Sequence, residues 1–140
     1  MISTAGTGCP GDHWMIVADS SALMALLLNE PEADRIADML EIAPEIAISG
    51  GTLAESLIVA RRRGIGDEMA RLMSGLSMTV APVTEATARR IKDAYDVWGK
   101  GRYPAGLNFG DCFAYALAAE RGAPLLHVGN DFARTDLVPT

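Results

Sequence analysis

Four short apolar runs rich in β-prone residues, at positions 14–18, 45–49, 78–83 and 124–128, alternate along this chain with segments of helical period. Neighbouring parallel strands need a crossover of about a dozen residues or more, usually a helix, whose apolar stripe is then buried on the sheet. The alternation therefore predicts an α/β fold: a mostly parallel sheet of four or five strands covered by helices on both faces. The helical segments carry the expected stripes. Ile36, Met39, Leu40 and Ala43 follow i, i+3, i+4, i+7 spacing, and Pro44 closes that helix. A helix from Thr52 presents Leu53, Leu57 and Ala60, and the next presents Met69, Leu72, Met73 and Leu76. A helix from Thr84 puts Ile91, Tyr95 and Trp98 on one side. Another, from Asn108, puts Phe109, Cys112, Phe113, Ala116 and Leu117 toward the core. Three glycines and Pro104 mark 99–106 as a loop, and the turn-rich tail leaves room for a fifth, short strand near Leu137.

The 140 residues fit one domain, expected over 15–140, with residues 1–14 as a flexible extension. That extension has neither a basic start nor an apolar stretch, so it does not read as a signal peptide. No apolar run approaches the roughly 20 residues that cross a bilayer, and no membrane partner is expected. Cys9 and Cys112 offer no disulfide framework, and a reduced, cytoplasmic chain is the simplest expectation. Two histidines without paired cysteines exclude a zinc finger on ligand count. A formal net charge of −6 argues against simple basic-patch binding of nucleic acid. The 18 acids either solubilise the surface or are partly gathered for a cation, and position has to choose between those.

Position singles out four. Asp19 follows the first strand; Glu55 lies near the start of the helix after the second; Asp111 lies in the first turn of the helix opened by Asn108; Asp131 follows the fourth strand through Gly129 and Asn130. In open parallel sheets ligands bind beyond the carboxyl ends of the strands, so all four can face one cleft. Isolated carboxyls have pKa values of about 4, and two charges about 4 Å apart repel by roughly 4 kcal/mol at an effective dielectric near 20. Bound Mg²⁺ or Mn²⁺ relieves that repulsion, since hard cations prefer oxygen ligands. Such a site suits metal-assisted phosphodiester hydrolysis without a histidine or cysteine nucleophile. Plain structural roles stand beside this reading. Thr52-Leu-Ala-Glu55 spells a capping box, and Asn108-Phe-Gly-Asp111 has the same spacing. Asn130 and Asp131 suit a turn, and Asp19 competes with Ser20 as a helix cap. Composition and spacing alone leave a metal site and a row of caps both open.

The string Met15-Ile-Val-Ala-Asp19-Ser-Ser-Ala-Leu23, continued to Glu30-Pro-Glu, resembles the opening of bacterial PIN-domain toxins of the VapC type. Thr52-Leu-Ala-Glu55 resembles their second acidic position. Leu107-Asn-Phe-Gly-Asp111-Cys-Phe-Ala-Tyr-Ala-Leu117 follows a long family string, and Val128-Gly-Asn-Asp131-Phe with Thr135-Asp136 resembles the closing motif. The resemblance implies an α/β/α sandwich and Mg²⁺- or Mn²⁺-dependent endoribonuclease action on tRNA, rRNA or mRNA. It makes Asp19, Glu55 and Asp111 the core ligands and Asp131 the fourth. It also implies a homodimer, silenced by an antitoxin whose tail occupies the acidic groove. Ala18 stands where the family commonly has a bulkier aliphatic, and residues 1–14 have no family counterpart.

Ser20 or Ser21 is expected to orient a ligand, and Lys100 and Arg102, in the glycine-rich loop, to guide RNA. Arg61, Arg62 and Arg63 are placed to meet phosphate but read first as a solvated helix end, where the macrodipole favours cations, and Arg89, Arg90 and Lys92 share that ambiguity; His127 reads as a packing or surface residue. The rival functions are a catalytically silent regulator that only binds the antitoxin and a related nuclease acting on DNA. A phosphoacceptor receiver domain is disfavoured, because no lysine follows Lys100.

Overall fold

The computed structural model describes residues 14–101 and 106–137. They run β1 (Met15–Ala18), α1 (Ser20–Leu27), α2 (Ala33–Ile42), β2 (Glu45–Ser49), α3 (Gly50–Arg62), α4 (Gly66–Leu76), β3 (Thr79–Ala81), α5 (Glu85–Trp98), α6 (Phe109–Arg121) and β4 (Leu125–Leu126). The strands form one sheet in the order β3-β2-β1-β4. Every pairing is parallel: Ile16 lies opposite Ile46, Val17 opposite both Ala47 and Leu125, and Ile48 opposite Val80.

Side chains alternate across a strand, so each strand feeds two cores. Val17, Ala47 and Leu125 pack with Ile91, Ala94 and Leu117 of α5 and α6. Ile16, Ala18, Ile46 and Leu126 pack with Ala22, Ile36 and Leu40 of α1 and α2. Ile48 meets Leu23, Ala60 and Met69, which brings α3 and α4 onto the same side. The result is the expected α/β/α sandwich. No described helix is long and apolar enough to cross a membrane.

Several local expectations are corrected. The helix expected from Thr52 starts at Gly50, because Ser49 supplies the N-cap and accepts from the Gly51 N–H. The third strand stops at Ala81, just before Pro82, which has no N–H to donate. The fourth ends at Leu126, because the Val128 N–H turns away to the Ser21 hydroxyl. No fifth strand forms among the described residues, and Leu137 is irregular. Leu57, Tyr95 and Phe109, placed on core stripes by their period, are 41%, 38% and 67% exposed. Phe109 is the first residue of α6, ahead of the turns that enter the core, and its ring stands edge-on to Phe113 at 4.9 Å. Trp14, the last residue of the expected extension, packs against the Ile16 cluster. Residues 1–13, with Cys9, and residues 102–105, with Arg102, lie outside the described residues. Cys112 is a buried free thiol whose burial pushes its pKa up to about 11.

Candidate functional site

The central strand β1 delivers Asp19 to the carboxyl end of the sheet. One residue past the strand, the Asp19 N–H still donates to the Leu126 carbonyl at 3.0 Å, so β4 fixes its main chain. Its side chain caps α1: Oδ2 accepts from the Ser21 N–H at 3.1 Å and from the Ser21 hydroxyl at 2.6 Å. That hydroxyl in turn accepts from the Val128 N–H at 3.0 Å, tying the exits of β1 and β4 together. Asp19 is buried, and its Oδ1 has no hydrogen-bond partner among the described residues. A buried acceptor left unsatisfied costs about 1–3 kcal/mol, more when charged. Burial pushes the Asp19 pKa up, against the pull of the Ser21 bonds and of His127.

Glu55 does not close a capping box. Thr52 is buried inside α3, where its carbonyl accepts from the Ser56 hydroxyl at 2.8 Å, and Glu55 instead accepts from the Ser20 hydroxyl at 3.1 Å. Its pKa is raised first by burial and further by the charge of Asp19, with the Ser20 bond opposing. Room for this carboxylate comes from Gly110, where a Cβ would overlap it; likewise, a Cβ at Gly51 would overlap the Phe113 ring. Neither glycine has a positive φ, so each marks close approach between α3 and α6 and not a turn. Nothing in the local sequence assigns either glycine this contact, although a glycine inside a helix is the available signal.

Asp111 fulfils its capping reading and also lies among the other acids. With Asn108 it forms a reciprocal capping box: Asp111 Oδ2 accepts from the Asn108 N–H at 3.1 Å, and Asn108 Oδ1 accepts from the Asp111 N–H at 2.9 Å. It is also buried, and its pKa is pushed up to about 6. Burial is the main cause, and the charges of Asp19, Asp131 and Glu55 add to it against the Asn108 bond. Asp131 is exposed, in the turn after Gly129 (φ +95°).

The four acids thus share one electrostatic neighbourhood. Among the described residues no three His, Cys, Asp or Glu side chains are gathered closely enough to form a coordination shell as they stand. The donors nonetheless fit a hard divalent ion: all are carboxylate oxygens, and the orphaned Asp19 Oδ1 is a buried acceptor in want of a positive partner. Ser20 and Ser21 touch these acids directly. Lys100 is exposed in the turn following α5. Arg89, Arg90 and Lys92 pair with Glu85, Glu120 and Asp96 on the surface. Arg62 lines one cleft with Glu55, Ile58, Phe109 and Gly110, which gives it a place beside the acids that its helix-end position did not suggest. His127 is half-buried, edge-on to Phe132 at 5.0 Å, in keeping with a packing role.

Comparison with known proteins bears on the family and the fold. Residues 16–138 match the PIN domain. The chain is 41% identical over 124 residues to ribonuclease VapC28 of Mycobacterium tuberculosis, covering 86% of this chain and 93% of that one. It is 38% identical over 125 residues to ribonuclease VapC of Mycolicibacterium smegmatis, covering 87% and 97%. Among solved structures, the sarcin–ricin loop cleaving toxin VapC20 of Mycobacterium tuberculosis superposes with a TM-score of 0.71 at 18% identity, covering 89% of this chain and 98% of that one. A toxin–antitoxin complex from Klebsiella pneumoniae gives 0.68 at 19%, covering 88% and 95%. With a family match over nearly the whole fold and close relatives that share its length, the chain belongs to the PIN-domain family, among the VapC ribonucleases.

Proposed function

We propose that this protein is an endoribonuclease toxin of a toxin–antitoxin pair, dependent on Mg²⁺ or Mn²⁺ and acting through Asp19, Glu55, Asp111 and Asp131. The observation that carries the metal site is the orphaned Asp19 Oδ1, buried beside two other carboxyls whose pKa values are also raised. Asp19, Glu55 and Asp111 would hold the ion, with Asp131 supporting it from the exposed rim. When bound, the ion supplies Lewis acidity toward the scissile phosphate and the attacking water. The protein's own part is orientation. Ser21 fixes which Asp19 oxygen is spent on the helix cap and leaves the other for the ion, and Ser20 holds one Glu55 oxygen. Gly110 lets the Glu55 carboxylate lie against α6. Lys100, Arg102 and Arg62 are the cations offered to RNA phosphates.

The partners follow the relatives. The structures of similar fold include a toxin–antitoxin complex and a VapBC2 pair of Rickettsia felis bound to a promoter DNA fragment. An antitoxin with a cationic segment would answer the charge of the acid cleft. The exposed apolar side chains Ile58, Val83, Tyr95 and Phe109 suit burial against a protein, including a second copy of this chain.

Incubation of purified total RNA and synthetic tRNA pools with Mg²⁺, Mn²⁺ or EDTA, beside Asp19→Asn, tests the assignment. Discrete fragments that require metal and vanish in the variant are expected. A folded, antitoxin-free protein that cuts no RNA under any of these conditions would favour a silent regulator, and cutting of DNA alone would favour the related nuclease.

A further inference from the structure

One side chain that no role described so far uses lies a turn behind Asp111. Tyr115 is four residues further along α6, on the same side of the helix. It is buried, and its hydroxyl is occupied in both directions: it accepts from the Trp98 indole N–H at 2.9 Å and donates to Asp136 Oδ1 at 2.5 Å. Burial and the Asp136 carboxylate together push its pKa up to about 12, so it keeps its proton and remains a donor across the working range.

Its two partners lie on different segments, Trp98 at the end of α5 and Asp136 five residues after Asp131. Asp136 lies near the end of the irregular stretch 129–137, which carries Asp131. That stretch has no ladder to hold it. It hangs on buried Phe132, on short turn bonds such as Ala133 N–H to the Asn130 carbonyl at 3.1 Å and Thr135 Oγ1 to the Phe132 carbonyl at 2.7 Å, and on Tyr115. Trp98 ends α5, and its carbonyl accepts from the Leu107 N–H at 2.7 Å, so it closes the loop that carries Lys100. The Trp98–Tyr115–Asp136 chain therefore ties the end of α5 and the stretch that carries Asp131 to the helix that bears Asp111.

We infer that Tyr115 and Asp136 are positioning residues that set where Asp131 stands relative to Asp111, and through it how tightly the site holds a divalent cation. This rests on the metal-nuclease reading above. Groups that orient metal ligands typically change metal affinity by about 10–100-fold when removed. Tyr115→Phe keeps the ring and its packing against Trp98 (ring centroids 6.3 Å apart) and removes only the two hydroxyl bonds.

The test is Mn²⁺ binding by calorimetry in wild type, Tyr115→Phe, Asp136→Ala, Asp131→Ala and the Tyr115→Phe/Asp131→Ala double variant, with RNA cleavage against Mn²⁺ concentration alongside. Tyr115→Phe and Asp136→Ala are each expected to weaken Mn²⁺ binding about tenfold and to shift the Mn²⁺ activation curve by the same factor. In the Asp131→Ala background Tyr115→Phe should add nothing, since a residue that acts through Asp131 has nothing left to position. Asp136→Asn, whose amide oxygen can still accept from Tyr115, should recover part of the loss. Unchanged Mn²⁺ binding in Tyr115→Phe with a lowered unfolding midpoint would make the contact merely structural and overturn the inference. So would a loss that adds fully to that of Asp131→Ala. A wild type that binds no Mn²⁺ overturns the metal reading itself, and the positioning role with it.

Discussion

The starts of α3 and α6 carry the same local spelling, a polar residue three places ahead of an acid, yet the two acids are held differently. At α6 the spelling is obeyed, and Asn108 and Asp111 satisfy each other's backbone N–H. At α3 the helix begins early, on Ser49, because β2 runs directly into it, so Thr52 is already inside and Glu55 points to Ser20. One acid is thus tied into its own helix, and the other answers only to a different element. A capping box is a property of where the first turn falls, which tertiary packing decides, and not of the four-residue string.

That contrast can be broken most forcefully by charge removal. Glu55→Gln is expected to lower metal-dependent RNA cleavage at least about a hundredfold, more than loss of an outer-shell group. Its unfolding midpoint should scarcely move, because Glu55 caps nothing. Asp111→Ala should lose comparable activity and, in addition, the bond from the Asn108 N–H that completes the α6 capping box, which denaturant unfolding beside the cleavage assay would reveal.

Adding volume between the two helices comes next. Gly110→Ala puts a methyl where the Glu55 carboxylate lies, and misplacement of about 1 Å near reacting groups can cost on the order of 10²-fold. Gly75→Ala in α4 meets open space and should instead stabilise by about 0.5–1 kcal/mol. Cleavage rates and urea midpoints of the pair separate steric displacement of Glu55 from a general effect of helical glycine.

Titration sharpens the comparison further. The Asp111 pKa is raised to about 6 in the fold, above the ordinary carboxyl value near 4. Its contribution to the stability of the metal-free protein is therefore full below the lower value and lost as pH rises through about 6. Mn²⁺ must displace that proton, so binding should weaken as pH falls below about 6 and release protons in calorimetry run in buffers of different ionisation enthalpy. Asp111→Asn should remove this step.

The smallest effect concerns the caps themselves. Asn108→Ala should cost about 1 kcal/mol, as loss of an N-cap does. Thr52→Val should be near neutral or slightly stabilising, because the Thr52 hydroxyl is buried without a partner. Equal losses at the two positions would mean that both act as caps.

Much of the architecture was legible because its signals are periodic: strand–helix alternation fixed the sheet type, and the acids fell at strand exits where a parallel sheet must gather them. The family was legible for a different reason, a string around Asp111 long enough to carry a resemblance, and the candidate site rests on that string. What escaped depends on distances across the fold. Gly51 and Gly110 matter only because α3 and α6 approach closely, and nothing local announces that. Phe109 shares the period of buried Cys112 and Ala116, but stands a turn before the core begins. Arg62 reads as a dipole partner at a helix end until the cleft it shares with Glu55 is seen.

The placement of β1 between β2 and β4 bears on how the molecule opens from moment to moment. The Val17 and Asp19 amides donate to the Pro124 and Leu126 carbonyls inside a doubly flanked strand, so they should exchange hydrogen with solvent only when the whole sheet comes apart. The amides of 130–137, held by turns and a few side chains, should exchange far sooner through local opening. Asp19 and Asp131 would then belong to different exchange classes: the floor of the acid cleft lasts as long as the fold, while its outer rim comes and goes many times within that life.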